Sequence, residues 1–104
     1  METKKTTREE YQKCVNAVVD YINLHLGEEI DLKSLAKISH FSPFYFHRIM
    51  KAFLGEPIGT FIVRTRTETA ARLLRYTDLP IGDIAYRIGY SSSSSLSKVF
   101  KQFY

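Results

Sequence analysis

Two stretches of this 104-residue chain, fifty positions apart, carry the same pattern, and any fold must accommodate both. On a helical wheel of about 100° per residue, Phe46, Ile49, Met50 and Phe53 gather on one side. Leu96, Val99, Phe100 and Phe103 repeat that apolar stripe. Opposite the first stripe lie Phe44, His47, Arg48 and Lys51, and opposite the second lie Ser94, Ser97, Lys98 and Lys101. The preceding segments match at an offset of forty-nine: Leu35-Ala36 with Ile84-Ala85, and His40-Phe41-Ser42 with Gly89-Tyr90-Ser91. The one-residue slip must be absorbed where the second long helix begins. Each copy therefore predicts a helix, a tight turn and a second helix. Core packing alone would not keep a polar, partly basic outer stripe in both copies.

Local signals place the elements. Ser42 is an N-cap and Pro43 suits the first helical position, where its missing N–H has no partner to lose. Gly55 fits the left-handed position after the helix. Thr7-Arg-Glu-Glu10 has the form of a capping box, which predicts a first helix from Thr7 to about Leu26, ended by Gly27. Its stripe is Tyr11, Val15, Val18, Val19, Ile22 and Leu26, with Cys14 packed at the border. Asp31 caps a short helix, Leu32 to about Ser39, that buries Leu32, Leu35 and Ala36.

Ile58 to about Tyr76 shows no breaker after Gly59 and should be one helix of about 28 Å, burying Ile58, Phe61, Ile62, Ala70, Leu73 and Leu74. Its middle turn is polar, and Arg64 and Arg66 are expected to form structural ion pairs. Asp78-Leu-Pro80 opens another short helix, Ile81 to about Ile88, and Gly89-Tyr90 turns into the last. No strand signal stands out. The expected fold is all-α with six helices: two helix-turn-helix units joined by a long central helix, a homeodomain-like bundle pair.

The domain reading is a disordered start over 1–6 and one domain over 7–104. Within it, 7–56 is the first unit, 57–77 the linker helix and 78–104 the second unit. Apolar runs are too short to span a membrane, and the polar start does not resemble a secretory signal. A single cysteine forms no internal disulfide, in keeping with a cytoplasmic location. The net charge of +4 favours acidic partners, nucleic acid first. Enzyme readings find little support. His25, His40 and His47 lack metal-type spacing, the acid pairs Glu9-Glu10 and Glu28-Glu29 sit at helix caps and turns, and no Gly-rich phosphate loop is present. No cofactor or metal site is expected.

Leu35-Ala36, Phe46-His-Arg-Ile-Met-Lys51, Ala70-Ala-Arg-Leu-Leu74, Pro80-Ile-Gly-Asp-Ile-Ala-Tyr-Arg-Ile-Gly-Tyr90 and Leu96-Ser-Lys-Val-Phe-Lys101 resemble the DNA-binding domain of the AraC family of bacterial transcription regulators. The likeness covers about residues 8–103. It implies two helix-turn-helix units whose second helices, 42–54 and 92–103, enter successive major grooves of double-stranded DNA. It also implies RNA polymerase, or a sensor or dimerisation domain, as partners of the full regulator. The family pattern continues beyond the final Phe-Lys segment through a further helix, so the second unit is expected to be cut short at its C-terminal end.

The base-facing candidates are Phe44, His47, Arg48, Ser93, Ser94 and Lys98; the family match supplies Ser93, Ser94 and Lys98. Arginine can pair with guanine through two hydrogen bonds, and an exposed phenylalanine can meet a thymine methyl. Ser42, Tyr45, Lys51, Ser92, Ser97 and Lys101 are the candidates for backbone phosphate contact. The bland alternatives are a solvated Arg48 and His47, a Phe44 buried in the turn, and a flexible linker at Ser91–Ser95. The rival function is a helical protein-interaction module with no specific DNA target.

Overall fold

A computed structural model describes the backbone of residues 4–104 and the side chains of residues 7–104. The described residues form six helices and no strand: α1 (Lys4–Leu24), α2 (Leu32–Ser39), α3 (Pro43–Leu54), α4 (Ile58–Tyr76), α5 (Ile81–Arg87) and α6 (Ser93–Phe103). Contacts divide the described residues into two compact units, one of residues 4–24 and 30–58, the other of residues 25–29 and 59–104.

In the first unit α1 packs on both α2 and α3, and α2 packs on α3. Val15, Val18, Ile22, Leu35, Ala36, Phe46 and Met50 are buried there, following the helical period of the sequence. In the second unit α5 packs on α6. Ala70, Ile84, Ala85, Ile88 and Leu96 form its core, with Leu73, Leu79, Tyr90 and Phe100 packed against it.

Several boundaries and burials depart from the sequence reading. α1 starts at Lys4, so Thr7 and Glu10 lie inside the helix rather than in a capping box. Lys4-Lys5-Thr6 holds no breaker, and the ladder continues backward through it. Of the start assigned to disorder, residues 1–3 lie outside the described ones. α1 ends at Leu24 rather than Leu26. Leu32 and Leu74 are exposed, not buried. Leu32 sits in the open first turn of α2. Leu74 falls about 100° round α4 from Leu73, beyond the edge of the buried stripe. Thr67, in the polar middle turn of α4, is instead fully buried. Its hydroxyl donates to the Val63 carbonyl at 2.8 Å, which removes the penalty for burying it.

The grouping of residues 25–29 with the second unit has a local cause. Arg66 on α4 donates from Nε to the Leu26 carbonyl at 3.3 Å and from a terminal nitrogen to the Glu28 carbonyl at 2.9 Å. A planar guanidinium suits two adjacent acceptors. Arg66 is therefore structural, as expected, but its partners are backbone carbonyls rather than a carboxylate. Arg64 does form the expected ion pair, with Glu68 at 3.0 Å. Glycine permits the approach. A Cβ on Gly27 would stand 2.7 Å from the Arg87 carbonyl oxygen, and one on Gly89 would stand 2.7 Å from that of Leu26.

Candidate nucleic-acid interface

Each unit turns into its second helix by the same device. In the first unit the turn residue is His40, in the left-handed region at φ 65°. Beside it the buried Ser39 hydroxyl donates to the Ala36 carbonyl at 2.6 Å and accepts from the Phe41 N–H at 3.0 Å. In the second unit Gly89 takes the left-handed position at φ 95°, where glycine carries no steric cost. The Tyr90 N–H then donates to the Ala85 carbonyl at 2.8 Å. Burial pushes the Tyr90 phenol up from its ordinary pKa, against the smaller opposing pull of the Arg66 guanidinium.

The second helices are capped alike. The Ser42 hydroxyl accepts from the Tyr45 N–H at 3.3 Å, and the Ser92 hydroxyl from the Ser95 N–H at 3.2 Å. From turn residue to cap is two steps in the first unit and three in the second, which is where the one-residue slip goes. Ser91–Ser95 is thus a helix start rather than a linker. Ser92→Ala should cost the second unit about 1 kcal/mol and speed amide exchange in the first turn of α6. Exchange at Ser95 unchanged from the parent would mean that the serine is no cap.

The turns and caps fix which faces look outward. Phe46 and Met50 anchor α3 inward, and Leu96 anchors α6. On α3 the opposite face exposes His47, Arg48 and Lys51. Phe44 stands 74% exposed and Tyr45 52%, which excludes a Phe44 buried in the turn. Their rings meet edge to face at 5.0 Å. On α6 the outward residues are Ser94, Ser97, Lys98 and Lys101, with Ser93 half-buried and Ser92 exposed at the cap. Among the described residues no hydrogen bond or ion pair engages the side chains of Arg48, Lys51, Lys98 or Lys101. Every candidate named on α3 lies on or beside its open face, and likewise on α6.

No cluster of histidine, cysteine or acid side chains among the described residues could hold a metal ion. No described helix is long and apolar enough to cross a membrane. His25 pairs with Glu28 at 2.8 Å, in the loop that Arg66 holds. Periodicity gave no hint of that loop's place, because its partners lie some forty residues downstream.

Residues 35–104 match the helix-turn-helix domain family, which is most of the chain and both repeated turns. Over 92 residues the chain is 30% identical to the regulatory protein SoxS of Salmonella typhimurium, covering 88% of this chain and 86% of SoxS. The chain belongs to the AraC family of helix-turn-helix domains.

This AraC-family chain is also 35% identical over 94 residues to an uncharacterised helix-turn-helix transcriptional regulator, YbfP of Bacillus subtilis. That match covers 90% of the chain but 32% of YbfP, so the chain spans about a third of that relative's length. Among solved structures, it superposes on the DNA-binding domain of the global transcriptional factor AdpA, determined in complex with a target DNA. The TM-score is 0.77 at 27% identity, over 85% of this chain and 79% of that one. The all-α, double helix-turn-helix architecture expected of an AraC-family domain is the one observed.

Proposed function

We propose that the chain is the sequence-specific, double-stranded DNA-binding module of a bacterial transcription regulator, with α3 and α6 reading successive major grooves. The observation that carries this reading is the pair of serine-capped helices, each anchored by a buried stripe and each leaving unpaired cations on its outer face. A cation without an ion-pair partner is free to neutralise a phosphate and release its counterion. The likeness to a domain solved with its target DNA supports the same reading.

In this scheme Arg48 reads a guanine edge, with His47 and Phe44 beside it, and Ser93, Ser94 and Lys98 face the bases in the second groove. Serine discriminates bases poorly, so the second unit contributes affinity more than specificity. Ser42, Tyr45, Lys51, Ser92, Ser97 and Lys101 hold phosphates. The Ser42 hydroxyl keeps its hydrogen for that purpose while its oxygen accepts from the Tyr45 N–H; the Ser92 hydroxyl also lies 3.3 Å from that of Ser95. The work is binding rather than catalysis, carried out in the cytoplasm. For the intact regulator the reading implies RNA polymerase, or a sensing or dimerisation domain, as a further partner.

Arg48→Ala should relax preference at one or two base pairs by about 1–3 kcal/mol. Lys101→Ala should weaken every duplex alike and flatten the salt slope by about one. Selection of duplexes from a random pool, followed by salt titration, measures both. Equal losses for the two variants on every sequence would contradict this division of labour. The exposed Phe44–Tyr45 pair also suits a protein-interaction surface, and on that reading random duplex would bind little even at low salt.

A further inference from the structure

The first unit holds an open groove of about 720 Å³ between Tyr11 of α1 and the flank of α3. Phe41, Ile49, Ala52 and Phe53 make it mostly apolar, and the Tyr11 and Phe41 rings meet edge to face at 5.1 Å. Arg48 lines it as well. A second guanidinium, of Arg8, lies 5.8 Å from the Phe53 ring centroid. No carboxylate lines the groove. Its size lies within the range of pockets that take small organic ligands. An apolar trough whose unpaired charge is a guanidinium complements an apolar body bearing one carboxylate.

We propose that this groove binds small aryl or alkyl carboxylates, and that Arg48 then pairs with the ligand's carboxylate instead of with DNA. The binding claim stands on the groove alone; the competition rests on the DNA-reading role given to Arg48. An Arg48 side chain folded into the groove to meet a seated carboxylate is turned away from the open face of α3, where a base edge would have to be met. Such a ligand would loosen the first unit's grip on DNA without altering the fold.

The probe is 4-phenylbutyrate, titrated into the intact chain without DNA and followed by backbone amide shifts. Saturable shifts confined to Tyr11, the turn of residues 40–42 and the flank of α3 from Tyr45 to Phe53 are expected at millimolar ligand or below. The neutral analogue 4-phenylbutan-1-ol, and the Arg48→Gln variant with the acid, should each bind about tenfold more weakly. Equal binding by the alcohol, or shifts elsewhere, overturns the site. So does saturation of the same amides by a helical Leu/Glu peptide or by a second copy of the chain when the acid fails.

Ala52 is exposed, and Ala52→Phe should fill the groove without disturbing the core. Saturating acid should weaken duplex binding by the parent about tenfold and leave the Ala52→Phe variant unmoved. Acid that fills the groove without loosening a bound duplex overturns the competition. A chain that binds the acid but never a duplex defeats the DNA reading and the competition, while the carboxylate site stands on its shift data.

Discussion

Gly89→Ala should unfold the second unit at temperatures where the parent is intact. Two costs coincide at this position. The backbone sits at φ 95°, which an L side chain tolerates only under strain, and the new Cβ would meet the Leu26 carbonyl oxygen at 2.7 Å. That oxygen cannot retreat freely, because it also accepts from Arg66. Together these amount to about 3 kcal/mol or more. A unit of this size has little more than that to lose. The melting midpoint should fall by more than about 10 °C, with amide protection lost at Ile84, Ile88 and Leu96. Gly82→Ala, inside α5 with nothing near its Cβ, should be neutral or stabilising by up to about 1 kcal/mol. If both substitutions move the midpoint equally, the close approach at Gly89 has no energetic weight.

Phe46→Ala should be as severe in the first unit and should remove duplex binding with it. Phe46 is 1% exposed and is the largest fully buried side chain of the described residues. Truncating a buried phenylalanine costs about 3–5 kcal/mol, part of it lost burial and part the cavity left behind. α3 carries Arg48 on one face and Phe46 on the other, so an unanchored α3 cannot present an ordered reading face. Phe46→Leu, which keeps most of the volume, should cost about 1–1.5 kcal/mol and retain binding. Circular dichroism melts and duplex titrations on the two variants separate anchoring from contact. An alanine variant that melts with the parent but fails to bind would give Phe46 a direct role in the complex.

Much of this was legible in the chain because the relevant physics is local. A serine cap acts within three residues, an apolar stripe within two turns, and a left-handed turn at a single residue. The cap at Ser42 and the outward faces of α3 and α6 could therefore be read directly, whereas nothing along the serine run singled out Ser92 as its cap. What escaped was what is set by distant partners or by none. Thr67 is buried by what packs over it, its bond to the Val63 carbonyl only offsetting the cost, and composition cannot distinguish it from a solvated threonine. Lys4 starts α1 because nothing stops the ladder, and the capping-box pattern at Thr7 pointed to a boundary that is absent. The groove beside Arg48 was equally hidden, since it is an unfilled space between α1 and α3 rather than a pattern along either helix.

The five residues clasped by Arg66 bear on how such a chain can be divided. A gene doubling leaves two pieces that each hold all they require, yet here a cut after residue 58 would strip the later piece of the carbonyls that its arginine grips. Expressed alone, residues 59–104 would start life with an orphaned guanidinium and a bare seam beside Gly89 and Arg87. The second unit is discontinuous along the chain: injury to the loop of residues 25–29 is felt in a fold built mostly from residues 59–104.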